Sequence, residues 1–146
     1  MELSVTPACV EFSEQISQLT AELGYQVNVE NTAAWLNVLI DSPLHAVFVV
    51  QNAEQDICGW IVVEKRLILE SGFSAEITGL VVGAAFRRQG VAKLLVDAAE
   101  NWAHEQQLNR LVVRSNAKRV ESHLFYPSIG FEHTKTSEVY VKRFAS

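Results

Sequence analysis

The chain has 146 residues, is 49% hydrophobic and 20% charged, and carries a formal net charge of −5. That length suits a single compact globular domain spanning residues 1–146. The acidic balance argues against nucleic acid as the main partner, because neutralising phosphates takes a basic face, and it is compatible with a cationic substrate such as an amine. No stretch approaches the ~20 apolar residues of a membrane-spanning helix, and the start, Met1-Glu-Leu-Ser-Val5, lacks a basic region followed by an apolar run. A soluble cytoplasmic protein is the expectation. Cys9 and Cys58 form no CxxC pair, so neither a disulfide framework nor a zinc site is indicated.

Glu2 to Ala8 can form a short strand. Phe12, Ile16, Leu19 and Leu23 recur at helical spacing, and Gly24 stops that helix. Asn31 or Thr32 can cap a second helix carrying Trp35, Leu36, Leu39 and Ile40, which ends before Pro43. His45 to Val50 is a β-branched run and forms a strand, as does Ile57 to Val63, which Leu67 to Leu69 extends or follows. Phe73 to Val82 is a long strand. Val91, Leu94, Leu95, Ala98 and Trp102 make one apolar helical face, which predicts a helix from about Gly90 to Gln107. Leu111 to Arg114 is a short buried strand. Lys118 to about Tyr126 is helical, and Pro127 should distort or end it. Phe131 to Thr134 and Val139 to Phe144 close the chain as a hairpin. The order β-α-α-β-β-β-α-β-α-β-β is that of an α/β (α+β) protein with helices on the faces of a mixed sheet.

Between the strand ending at Val82 and the helix opening at Gly90 lies a basic turn. A helix N-terminus leaves its first N–H groups unpaired and carries a partial positive charge. Gly90 lets the backbone approach a ligand, and Ala92 is small for the same reason. Arg87 and Arg88 can add charge-assisted hydrogen bonds to phosphate oxygens. Strand, basic turn and helix in that order point to a phosphorylated ligand rather than to a solvated arginine pair. The G-x-x-x-x-G-K-[ST] loop is absent, because Arg88 stands where its second glycine would follow Gly83, and no G-x-G-x-x-G occurs.

The spacing Arg87-x-x-Gly90-x-Ala92 resembles the acyl-CoA pyrophosphate loop of the GNAT superfamily of N-acetyltransferases. The stretch Arg114 to Phe131 resembles that superfamily's second signature: Asn116 after a strand, a helix ending in Phe125-Tyr126, then Gly130-Phe131. Both stand in the family's order, and the resemblance covers roughly Phe73 to Phe144. It implies the GNAT acyl-CoA N-acyltransferase fold, a mixed, mostly antiparallel central sheet with helices on both faces. It implies acetyl-CoA as co-substrate and no metal. Leu80, Val81 and Val82 would splay from the Leu111–Arg114 strand and pair with the pantetheine arm. The pyrophosphate would rest on Arg87, Arg88, Gln89, Gly90, Val91 and Ala92, and Asn116 would help position the arm. Arg88 replaces a frequent glycine of the family, and Ala92 replaces its last glycine.

Acetyl transfer from a thioester to an amine requires that the amine lose its proton, the carbonyl be polarised and the thiolate be protonated or stabilised. Tyr126 falls where many of these enzymes place a tyrosine facing the sulfur, which makes it the candidate acid. Its reference pKa of about 10, against about 8.5 for a thiol, makes that proton transfer uphill but modest. The alternative is a packed tyrosine that only orders the thioester. Ala75-Glu-Ile77 resembles the strand bearing a glutamate base in the histone acetyltransferase branch, so Glu76 is the candidate base. It can equally bind substrate or pair with a basic side chain. Strand alternation puts Glu76, Thr78 and Leu80 on one side and Ile77, Gly79 and Val81 on the other. The N–H of Val82 or its neighbour would polarise the carbonyl. His123 shares a helical face with Tyr126 and is most simply a solvated residue. His45, His104 and His133 have no metal-ligand spacing. Trp35, Trp60 and Trp102 are core residues by this reading, with Trp35 alternatively lining the acceptor site that the first helices cover in this fold.

The expected activity is N-acetyl transfer from acetyl-CoA to a primary amine of a small molecule, by direct attack in a ternary complex. Neither cysteine lies in a motif, which disfavours an acetyl-enzyme. A protein or peptide amine is the second acceptor class, and a non-catalytic acyl-CoA sensor is the rival from another class. The partners are acetyl-CoA and an amine, with room for a homodimer and with neither nucleic acid nor membrane.

Overall fold

The computed structural model describes residues 2–115 and 120–145. They belong to two compact units, Met1–Arg114 and Ser115–Ser146. The first holds strands β1 (Ser4–Pro7), β2 (His45–Gln51), β3 (Ile57–Ile68), β4 (Gly72–Val82) and β5 (Leu111–Val113), with helices α1 (Ser13–Glu22), α2 (Val29–Asp41) and α3 (Val91–Glu105). The strands form one sheet in the order β1-β2-β3-β4-β5. β1 to β4 pair antiparallel and β5 joins β4 in parallel. The tight turns between β2, β3 and β4 allow only antiparallel neighbours, and α3 supplies the crossover that a parallel strand needs.

Gly24 ends α1 at φ +92°, with its N–H donated to the Ala21 carbonyl at 2.9 Å. α2 starts earlier than expected, because its cap is Asn28 and not Asn31 or Thr32. Asn28 has extended backbone, and its Oδ1 accepts the Asn31 N–H at 2.7 Å. β3 runs unbroken through Glu64, Lys65 and Arg66, each of which has a partner on β4.

Val47, Val49, Trp60, Val62 and Val81 lie on one sheet face, packed with Ile16 and Leu19 of α1 and Leu36 of α2. The other face lies under α3, where a Cβ on Gly59 would stand 2.9 Å from Val91 Cγ1 and 3.2 Å from Leu95 Cδ1. Gly59 is therefore held by close packing, and Ile61 and Val63 share its face by alternation. Between Val62 and Val63 the β4 partner jumps from Gly79 to Ile77, so Thr78 is the extra residue of a β-bulge.

The second unit contains α4 (Val120–Ser128), with Pro127 in its last turn. The Gly130 N–H reaches the Pro127 carbonyl at 3.2 Å and the Phe131 N–H reaches the Tyr126 carbonyl at 3.0 Å, which closes the helix. Residues 131–145 form no strand, which overturns the expected hairpin. Alternating apolar residues give only a propensity. A strand also needs a neighbouring edge and a covered apolar face, whereas Val139, Tyr140 and Phe144 are 85%, 90% and 82% exposed. Among the described residues, no helix is long and apolar enough to cross a membrane.

Candidate active site

The parting of β4 from β5 shapes the site. The two strands pair from Ala75↔Leu111 to Ile77↔Val113, and β4 then runs on to Val82 with no partner on that side among the described residues. The Gly83 N–H donates to the Cys58 carbonyl at 2.9 Å. Since antiparallel neighbours alternate between bonded and non-bonded pairs, Val81 bonds toward β3 while the backbone groups of Leu80 and Val82 point outward into the gap. Such an edge accepts an extended, amide-bearing ligand as an added strand.

The chain then turns through Arg87, Arg88 and Gln89, all exposed, into α3. Gly90 caps the helix at φ +85° and makes no side-chain bond. The first helical bond is Leu94 N–H to the Gly90 carbonyl at 3.1 Å, so the N–H groups of Val91, Ala92 and Lys93 have no partner within the helix. Arg88 sits at φ +63°, the left-handed region where glycine fits without cost. That explains why a glycine suits this position, and the arginine here trades backbone ease for a cation beside the helix start.

The bulge at Thr78 corrects the simple alternation. Glu76, Gly79 and Val81 share the α1/α2 face, while Ile77, Leu80 and Val82 share the α3 face. Glu76 is buried and is found paired with basic side chains. Arg66 Nη1 donates to its Oε1 at 3.0 Å, and Arg114 Nε stands 3.4 Å from its Oε2. The chain of charges continues from Arg66 to Glu64 Oε1 at 3.5 Å and from Glu64 Oε2 to His45 Nε2 at 3.0 Å. His45 Nδ1 lies 2.7 Å from Ser42 Oγ. With a cation on each oxygen of Glu76, a proton taken from an amine would work against both pairs. Arg66 and Glu64 escaped the sequence reading. The signal was the alternating Glu64-x-Arg66 on a strand facing Glu76, which becomes legible only once the register is fixed.

In the second unit, the half-buried Tyr126 ring lies edge-on to Phe125 and Phe131, with centroids at 5.1 Å and 5.4 Å. Asn116 lies outside the described residues. Among the described residues no three His, Cys, Asp or Glu side chains gather as a metal site. Burial first, then Glu11, pushes the Cys9 thiol above its ordinary value, and burial with Asp56 does the same for Cys58. Both are therefore poor nucleophiles near neutral pH.

A mixed sheet whose fourth and fifth strands part beside a glycine-opened helix is the architecture of the CoA-dependent N-acetyltransferases. The chain belongs to the Acetyltransferase (GNAT) family, whose sequence pattern matches residues 13–131, and it is an N-acetyltransferase. It is 27% identical over 110 residues to the uncharacterized N-acetyltransferase YhdJ of Bacillus subtilis (strain 168), a match spanning 74% of this chain and 75% of that protein. Its fold superposes on AAC(6')-Iy in complex with the bisubstrate analogue CoA-S-monomethyl-acetylneamine with a TM-score of 0.86, at 20% identity over 98% of this chain and 99% of the other. It also matches the aminoglycoside 6'-N-acetyltransferase AAC(6')-Ih of Acinetobacter baumannii with a TM-score of 0.85, at 18% identity over 99% and 100% of the two chains.

Proposed function

We propose that this enzyme transfers the acetyl group of acetyl-CoA to a primary amine of a small molecule by direct attack in a ternary complex. The observation that carries the reading is the open β4 edge from Thr78 to Val82, which leads into the unpaired first-turn amides of α3. AAC(6')-Iy, of the same fold, holds an analogue that joins CoA to an acetylated neamine, which supports both ligand classes. The family match crosses from the first unit into the second, which supports one catalytic domain.

When bound, acetyl-CoA supplies the activated thioester. Along Leu80, Val81 and Val82 the outward backbone groups of Leu80 and Val82 hold the pantetheine arm in the manner of an added strand, with Val81 between them bonded to β3, and Asn116 steadies the arm. Gln89, Gly90, Val91 and Ala92 present N–H groups to the pyrophosphate, and Arg87 and Arg88 add their cations. The outward N–H of Val82 polarises the thioester carbonyl. The amine nitrogen forms its bond to the carbonyl carbon as the carbon–sulfur bond breaks. Tyr126 gives its phenolic proton to the departing sulfur, and the proton lost by the amine passes to water. Glu76 serves by holding Arg66 and Arg114.

Calorimetric titration with acetyl-CoA, followed by an amine panel monitored by free-thiol release, tests the proposal. Heat on titration and turnover on small amines are expected. No heat at millimolar acetyl-CoA would remove the cofactor assignment. Turnover on peptide N-termini alone would move the enzyme to the protein acceptor class, and binding without any turnover would make the chain a sensor.

A further inference from the structure

We infer that the acceptor amine carries an apolar group about the size of one aromatic ring, received by a cavity between α1, α2 and the β2/β3 face. This rests on the reading of the β4 edge as the thioester site. The cavity holds about 200 Å³. An engineered apolar cavity of ~150 Å³ takes up benzene, so the space suits a ring with a short linker. Leu36, Leu39, Val47 and Val62 form its walls, and Trp35, 57% exposed, stands beside it in contact with solvent.

Polarity decides what fits. The lining includes no carboxylate, and its polar side-chain groups are the Thr20 and Thr32 hydroxyls and the indole N–H groups of Trp35 and Trp60. Two of these are already engaged, since Trp60 Nε1 donates to Thr20 Oγ1 at 3.2 Å and Thr20 Oγ1 donates to the Ile16 carbonyl at 2.7 Å. Water there finds few of the partners it needs, and a polycation finds no anion to replace its hydration. An apolar ring loses nothing polar on entry and leaves water.

Position ties the cavity to the chemistry. Trp60 is the register partner of Val81, and a Cβ on Gly79 would stand 2.7 Å from Trp60 Cζ3. One wall of the cavity is therefore seated on Gly79 and Val81, whose neighbours along β4, Leu80 and Val82, turn their backbone groups into the thioester gap. A ring lodged against Trp60 then lies one strand away from Leu80 and Val82, a separation that a short tether to the amine spans.

The test uses the full-length protein with saturating acetyl-CoA and compares 2-phenylethylamine, ethylamine, spermidine and neamine. 2-Phenylethylamine should exceed ethylamine at least tenfold in kcat/KM, an order typical of filling an apolar pocket. 2-Phenylethanol, which has the ring but no amine, should compete with the amine and not with acetyl-CoA, and should perturb tryptophan emission. Thr32→Phe, which fills the cavity, should erase the advantage of phenyl over ethyl while leaving calorimetric acetyl-CoA affinity unchanged. Preference for spermidine or neamine, or failure of 2-phenylethanol to compete or to perturb the emission, overturns the inference without touching acetyl-CoA binding. Loss of acetyl-CoA binding in the unmodified protein would instead overturn the β4-edge reading, and the emission change on 2-phenylethanol would still report on the cavity.

Discussion

Arg114, just past the end of β5, reaches across the sheet to Glu76 of β4, with its Nε 3.4 Å from Oε2. The contact lies one residue before the last paired position, Ile77↔Val113, where the two strands begin to part. Together with Arg66 on the other oxygen, it fixes the root of the gap. Glu76→Gln keeps the shape and removes the charge. Because Arg66 and Arg114 are 40% and 50% exposed, water recovers part of the loss, and the expected destabilisation is about 1–2 kcal/mol in a urea melt. The acidic limb of kcat against pH should stay in place. A fall of roughly 10²–10⁴ with loss of that limb would instead make Glu76 the base.

Arg88 separates charge from backbone strain. Arg88→Ala leaves a non-glycine residue at φ +63° and removes only the cation, so acetyl-CoA affinity should fall by about 1.5–3 kcal/mol. Arg88→Gly should lose the same affinity without lowering the melting temperature, because the left-handed conformation suits glycine. Gly90→Asp sets a negative charge beside the first-turn amides and should weaken binding further. Calorimetry and thermal melts on the three variants check the order.

Gly79→Ala should displace the Trp60 ring, since the new Cβ would lie 2.7 Å from Cζ3 and 3.0 Å from Cη2. Moving the ring strains its hydrogen bond to Thr20 and overpacks the α1/α2 face, at a cost of about 1–3 kcal/mol. A denaturant melt followed by tryptophan emission reads both effects. An unchanged spectrum and midpoint would show that the ring has room to shift.

Tyr126→Phe preserves the ring and its edge-on contacts with Phe125 and Phe131. Only the hydroxyl goes, so kcat should fall by roughly 10²–10⁴ while acetyl-CoA affinity holds. A general acid is active while protonated, so activity declines as pH rises through its pKa, and the variant should lack that alkaline limb. Equal kcat and equal limbs in the two proteins would return Tyr126 to a packing role.

The amino-acid sequence by itself determined the element order through β5, the glycine-opened helix with its basic turn, and the family, because each is written in contiguous residues. Periodicity marks a helix or strand, and Arg87 to Ala92 present their charges and amides from one short stretch. The tertiary structure decided the rest. The bulge at Thr78 reverses which residues share a face with Glu76, and no local pattern signals it, because it exists only against the register of β3. The chain from Ser42 through His45, Glu64, Arg66 and Glu76 to Arg114 joins residues of three strands, β2, β3 and β4, with the residues that follow α2 and β5. The cavity under Trp35 arises from how two helices lie on the sheet. The hairpin expected from Phe131 to Phe144 fails on the same ground: alternation makes a strand available, but only a paired edge and a covered face make it form.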